Sequence, residues 1–181
     1  MSAFQLEKHG HLAVLTLNSA EKRNLLTPDS AMAIAEAVQQ LPHDPNIKAL
    51  AVTGRDDSFC SGADLASLQQ AALGDGEELQ QIYSAFTSVA HSPLLTIALL
   101  NGPALGAGMN LAMACDIRLA SEQAWFESRF FQLAIHPGGG HTWMLRRIVG
   151  PQADAGAGGD ARAQPVQDEG GGELIEHRPG H

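Results

Sequence analysis

The sequence predicts an α/β fold on three observations. Short apolar, strand-like runs alternate with stretches of helical periodicity from the N-terminus to about residue 150, the order that packs helices against a mainly parallel sheet. Several of these runs end in loops rich in Gly, Ser and Asn that open directly into a helix. The 181 residues, 44% of them hydrophobic and 17% charged, amount to one domain and are enough to bury a single core.

Residues 4–7 and 12–17 read as two strands split by the His9-Gly10-His11 turn, so the chain opens on a hairpin. A polar stretch over 18–24 leads to Thr27-Pro28, where Thr27 suits a helix cap and Pro28 its first turn. Ala31, Ile34, Ala35, Val38 and Leu41 then recur on one helical face over 28–41, and Pro42 stops the helix. Residues 47–53 read as a mostly buried strand, 54–62 as a loop, and 64–68 as the start of a helix. After the Gly74-Asp75-Gly76 break, 77–91 suit another helix and 94–100 another strand. The unit repeats with a loop over 101–105 and a short helix of small residues over 106–114. Residues 116–120 and 124–127 suit brief strands. A last helix over 140–148 carries Trp143, Met144, Leu145 and Ile148.

Beyond Gly150-Pro151-Gln152 the composition changes. Residues 153–181 hold seven Gly and five Ala, with Val166, Leu174 and Ile175 as the large aliphatics and no aromatic residue. The sequence therefore divides into a core over 1–152 and a tail over 153–181 that is expected to be disordered.

The net charge of −9 argues against nucleic-acid binding, which needs a basic face, and an acidic substrate would need a local cationic patch. No apolar run approaches the roughly 18–20 residues that span a bilayer, so no membrane segment is expected. The N-terminus has neither the basic start nor the apolar run of a secretory signal, which predicts a cytoplasmic protein. Cys60 and Cys115 form no CxxC pair and are expected to be reduced and buried. No cluster of His, Cys and carboxylates has metal-ligand spacing. No GxSxG elbow marks a serine hydrolase.

Two loop-to-helix junctions carry chemistry: Ser58-Phe59-Cys60-Ser61-Gly62-Ala63-Asp64-Leu65 and Asn101-Gly102-Pro103-Ala104-Leu105-Gly106-Ala107-Gly108-Met109-Asn110. At each, unpaired backbone N–H groups and the positive end of a helix dipole can face a ligand. Two such donors converging on one oxygen make an oxyanion hole, although small residues at a helix start also serve close packing.

Taken together with the Ala112-Met113-Ala114-Cys115-Asp116-Ile117-Arg118-Leu119-Ala120 continuation, the Lys22-Arg23-Asn24-Leu25-Leu26 loop and the His136-Pro137-Gly138-Gly139-Gly140 loop, these junctions resemble the crotonase (enoyl-CoA hydratase/isomerase) family over residues 3–152. The resemblance implies a spiral of ββα turns that binds acyl-CoA thioesters, with no cofactor beyond the CoA of the substrate. It also implies a homotrimer. Family chains usually continue through further helices that complete the acyl pocket and the trimer, and this sequence has the low-complexity tail in their place. Apolar faces over 94–150 are then expected to be exposed. By position, the N–H groups of Ala63 and Ala107 would hold the thioester carbonyl oxygen. Lys22 and Arg23 would meet CoA phosphates, and Asp64, Leu65, Gly106 and Gly108 would border the bound thioester.

The resemblance fails at the acid/base positions. Family hydratases use two glutamates, and here Asn110 and Phe130 stand in their places, so efficient hydration through that pair is not expected. Substitutes within reach are Glu127 and His136. The simpler readings make Glu127 a surface carboxylate paired with Arg129 or solvent, and His136 a loop histidine bonded to backbone. If residues 127–130 are extended, Glu127 points away from the face of Phe130. Asp64 could simply cap its helix, Asn110 fill space on a helix face, and Lys22 and Arg23 form solvated pairs with Glu21. His141 reads as a helix-start residue and Phe130-Phe131 as core. The expected function is that of an enoyl-CoA hydratase or isomerase. The alternatives are a catalytically silent acyl-CoA-binding homologue and a non-functional remnant.

Overall fold

The computed structural model describes residues 2–73, 76–130, 132–133, 135–157 and 175–176. Strand β1 (Phe4–His9) pairs antiparallel with β2 (Leu12–Leu17) across a turn in which Gly10 has φ 61°. From β2 onward the sheet grows by parallel addition: β3 (Ala49–Gly54), β4 (Leu95–Leu100) and then Ile117–Ala120. Parallel neighbours need crossovers, and because the strand order never reverses, crossovers of one hand keep returning their helices to the same face. Those helices are α1 (Pro28–Gln40), α2 (Leu65–Ala72), α3 (Glu77–Ala90) and α4 (Ala107–Ala114).

Local chemistry sets the element ends. Thr27 and Ser30 form a reciprocal capping box, Thr27 Oγ1 accepting the Ser30 N–H at 3.3 Å and Ser30 Oγ accepting the Thr27 N–H at 2.9 Å. At the far end Leu41-Pro42-His43 tightens into a 3-10 turn. The buried guanidinium of Arg118 donates to Cys115 O at 2.6 Å, placing a cation at the C-terminal end of α4, where the helix dipole favours one. Desolvation pushes its pKa down from the ordinary value.

Alternation along β2 buries Ala13, Leu15 and Leu17, and along β4 Thr96, Ala98 and Leu100, while the central β3 buries Leu50, Ala51 and Val52 in succession. Ile34, Val38, Ile82, Phe86 and Val89 complete the core from α1 and α3. Each large side chain fully buried this way stabilises the fold by roughly 1.5–3 kcal/mol before its ordering entropy is counted.

A second, smaller layer positions the site. Strand β5 (Ala104–Leu105) pairs in parallel with Phe126–Glu127, and the same direction is kept by single bridges from Cys60 to Ala104 and from Leu26 to Ala63. Four short stubs thus lie side by side, and two of them run straight into α2 and α4. The sequence reading placed residues 101–105 in a loop; β5 escapes it because a two-residue pairing leaves no periodicity. Ile117–Ala120 and Phe126–Glu127 are strands β6 and β7.

Helix α5 (His141–Ala157) bends at Gly150, whose φ of 83° interrupts it, and crosses the boundary drawn at residue 152. Strand β8 (Ile175–Glu176) pairs antiparallel with β6. The rest of the tail expected to be disordered lies outside the described residues. Leu95, Leu119, Leu133, Trp143 and Val149 are exposed, in the region where uncovered apolar surface was expected. Among the described residues no helix is long and apolar enough to cross a membrane.

Candidate active site

The ends of the four stubs open on a cleft of about 880 Å³. One wall is Ser61, Gly62, Ala63, Asp64, Leu65 and Leu68, from the first junction and α2. Gly106, Ala107 and Asn110, from the start of α4, also line it. The opposite wall is Ser128, Arg129 and Phe130 followed by Leu133, Ile135, His136 and Gly138, and Leu25, Leu79 and Tyr83 close the rim.

Backbone pairing aims the two candidate amides. Leu26 N–H donates to Gly62 O at 2.8 Å and Asp64 N–H to Leu26 O at 2.9 Å, so both peptide groups flanking Ala63 are spent on the Leu26 side. In extended backbone the intervening N–H, that of Ala63, faces the other way. Ala107 is the first residue of α4, where an N–H has no intrahelical partner; the ladder starts with Asn110 N–H to Gly106 O. Among the described residues neither amide donates to a protein acceptor.

The two junctions touch. An added Cβ at Gly62 (φ 102°) would lie 2.7 Å from Leu105 O and 3.5 Å from Ala107 N, and one at Gly108 only 2.3 Å from Cys60 O. Glycine is required at both for the stubs to approach, and Gly62 also needs its positive φ. Burial pushes the Cys60 thiol beneath them up to about 12.

The opposite wall is built from side chains. Asn110 is 1% exposed and His141 3%. Asn110 Oδ1 lies 2.7 Å from His141 Nδ1, and Asn110 Nδ2 donates to Gly138 O at 3.2 Å. The other ring nitrogen, Nε2, lies 3.1 Å from Ser128 Oγ. Phe130 packs edge-on to the imidazole, with ring centroids 4.7 Å apart. The phenol of Tyr83 is half-buried, and desolvation raises its pKa.

The family model described as enoyl-CoA hydratase/isomerase matches residues 7–168. The chain belongs to the enoyl-CoA hydratase/isomerase family. Within that family it is 46% identical over 144 residues to a Mycobacterium tuberculosis protein named "Probable enoyl-CoA hydratase EchA14", covering 78% of this chain and 56% of that one. It is 38% identical over 148 residues to the crotonyl-CoA hydratase of Syntrophomonas wolfei, covering 81% and 57%. The solved enoyl-CoA hydratase of Polaromonas sp. JS666 superposes with a TM-score of 0.80 at 30% identity, over 90% of this chain and 65% of that one. The chain thus spans about half the length of the curated family members it matches.

Of the residues that family resemblance singled out, Ala63, Asp64, Leu65, Gly106, Ala107, Asn110 and His136 line the cleft. Asp64 also takes the capping role, its Oδ2 accepting a long 3.4 Å contact from Ser67 N–H. Gly108, Lys22, Arg23 and Glu127 lie off the lining. Gly108 is not on the lining; it lets α4 close on Cys60. Lys22 and Arg23 are exposed and off the lining, and it is their carbonyls that hold Ser61, through its hydroxyl at 3.0 Å and its N–H at 2.9 Å. Glu127 takes the other role open to it, its carboxylate accepting from Arg129 Nε at 2.8 Å and Gln132 Nε2 at 3.0 Å. The segment is not extended through Phe130 either, since Arg129 turns it with φ 59°.

Sequence reasoning missed Ser128, Tyr83 and the part His141 plays. Tyr83 sits one turn from the buried Phe86 at helical spacing and could have been placed on the inner face of α3. No local pattern marks Ser128.

Proposed function

We propose that this chain acts on acyl-CoA thioesters, with the N–H groups of Ala63 and Ala107 holding the thioester carbonyl oxygen. The observation that supports the reading is a cleft lined by Ala63 and Ala107, from adjoining stubs, whose amides donate to no acceptor among the described residues. Proton loss beside a thioester, or addition of a nucleophile to its double bond, gathers negative charge on that oxygen. A donor so placed is typically worth about 2.7–4 kcal/mol in the transition state. Because both donors are main-chain, the alanine side chains do not disturb the chemistry. The N-terminus of α4 adds the favourable end of its dipole. The exposed Lys22 and Arg23, whose carbonyls hold the lining residue Ser61, are the cations we assign to the CoA phosphates.

Proton transfer is assigned to His136, the imidazole on the lining. With Asn110 and Phe130 at the two glutamate positions, hydration through this single group is slow; each general acid or base is worth about 10²- to 10⁴-fold. One observation favours the second reading, a binding protein without turnover: Asn110 spends both ends of its amide on His141 and Gly138 rather than on the cleft. Incubation with crotonyl-CoA, with 3-hydroxybutyryl-CoA followed by mass and binding by calorimetry, separates the two. Slow hydration that His136→Gln lowers further supports the enzyme, binding alone supports the silent homologue, and absence of binding removes both.

A further inference from the structure

We propose that Ser128, His141 and Asn110 form a nucleophile, base and orienter that cleave acyl-CoA thioesters by acyl transfer to the Ser128 hydroxyl. The proposal rests on the acyl-CoA reading above and adds a second reaction at the same carbonyl. Its warrant is geometric. Ser128 Oγ lies 3.1 Å from His141 Nε2, and His141 Nδ1 lies 2.7 Å from Asn110 Oδ1. The bond from Asn110 Nδ2 to Gly138 O orients the amide so that its oxygen, which can only accept, faces the ring. That places the ring proton on Nδ1 and turns the Nε2 lone pair toward the serine hydroxyl, the arrangement a nucleophile–base pair requires. Such a triad is recognised by geometry and roles rather than by sequence order, so the missing GxSxG elbow does not exclude it.

The nucleophile also stands beside the proposed hole. Leu105 of β5 is paired with Glu127 of β7, and Gly106 N–H donates to Glu127 O at 2.9 Å. The residues that follow, Ser128 on one stub and Ala107 on the other, both line the cleft.

In the first step Ser128 Oγ bonds to the thioester carbon while its proton passes to His141 Nε2, and the oxyanion rests on the Ala63 and Ala107 amides. Collapse breaks the C–S bond, and His141 returns the proton to the departing sulfur, releasing CoA. Water then attacks the acyl-serine ester, gives its proton to His141, and the C–O bond to Ser128 breaks as the hydroxyl is reprotonated. The products are free CoA and a carboxylic acid, and water is the co-reactant. Ser128 and His141 are the catalytic residues, and Asn110 positions the ring.

Butyryl-CoA is the probe, because it has no double bond to hydrate. The expected result is release of free CoA thiol and transient acylation of the peptide that contains Ser128. Ser128→Ala should lower release by about 10³-fold or more while calorimetric binding of butyryl-CoA is kept. Asn110→Ala should lower kcat with little change in KM, and Asn110→Asp should restore much of it. Binding without thiol release or acylation overturns this proposal and leaves the acyl-CoA reading standing, as does release that Ser128→Ala does not alter. Absence of binding overturns both.

Discussion

The two walls of the cleft are made differently. On one side, residues 58–64 and 103–107 hold their amides by backbone pairing and by glycines that let the stubs approach. On the other, the lining residues Asn110, Ser128 and Phe130 are joined through the buried His141 by hydrogen bonds and a ring contact. A backbone donor survives any side-chain change that keeps the fold, so the half proposed to polarise a carbonyl would tolerate sequence drift. The half built from side chains would not. On this reading a single substitution at 110 or 130 rewrites the proton chemistry and leaves the proposed carbonyl site in place.

If that division is right, the largest change should come from restoring proton-transfer groups to the side-chain wall. The double variant Asn110→Glu with Phe130→Glu is expected to raise crotonyl-CoA hydration by roughly 10²- to 10⁴-fold, read as formation of 3-hydroxybutyryl-CoA. No gain from a folded double variant would mean that the amide wall is not poised for catalysis.

Next comes removal of one amide. Ala107→Pro deletes the N–H at a first helical position, where proline is tolerated. Gly106 before it, at φ 50° and ψ −114°, has the mirror image of an extended conformation and avoids the clash a helical residue would make with the new ring. Turnover should fall by about 10²- to 10³-fold with CoA-ester binding retained. Equal loss of both would indicate damage to the fold instead of loss of a donor.

A smaller effect is expected from forcing the stubs apart. Gly108→Val puts a branched side chain against Cys60 O and should cost about 1–3 kcal/mol, measured as a lowered midpoint of thermal or denaturant unfolding. A bulky substitution at Gly140, whose added Cβ meets nothing within 4 Å, removes the packing term but keeps the strain of its φ of 78°, so it should cost less.

The smallest effect is the alkaline limb of stability. Burial raises the Cys60 thiol from its ordinary value of 9.0 to about 12, so between those pH values the unfolded chain binds fewer protons than the folded one. Stability is therefore full below pH 9 and falls as pH rises toward 12. Cys60→Ala should flatten that limb in unfolding curves taken across the range.

The same division decided what could be read from sequence. The amide wall was legible because its determinants are local: small residues and glycines at two strand-to-helix handovers, each within ten residues. The hairpin and α1 were equally legible, from alternation and from a Thr-Pro cap. The side-chain wall was not. Ser128, Asn110 and His141 are joined across 13 and 31 residues, and each is ordinary in its own neighbourhood. His141 does begin a helix, as its position suggested; the fold alone turns its ring onto Asn110. The Glu127–Arg129 pair was legible because the two are near neighbours in sequence, but the left-handed turn at Arg129 that closes it has no glycine or asparagine to announce it.

The deciding property is where a bound thioester puts its carbonyl. Infrared difference spectra of butyryl-CoA carrying a ¹³C label at C1 read that directly. The predicted result is a carbonyl stretch at lower frequency on the protein than in water, relaxing toward the aqueous value in Ala107→Pro. A bound ester whose stretch is unshifted, or equally shifted in that variant, would contradict it.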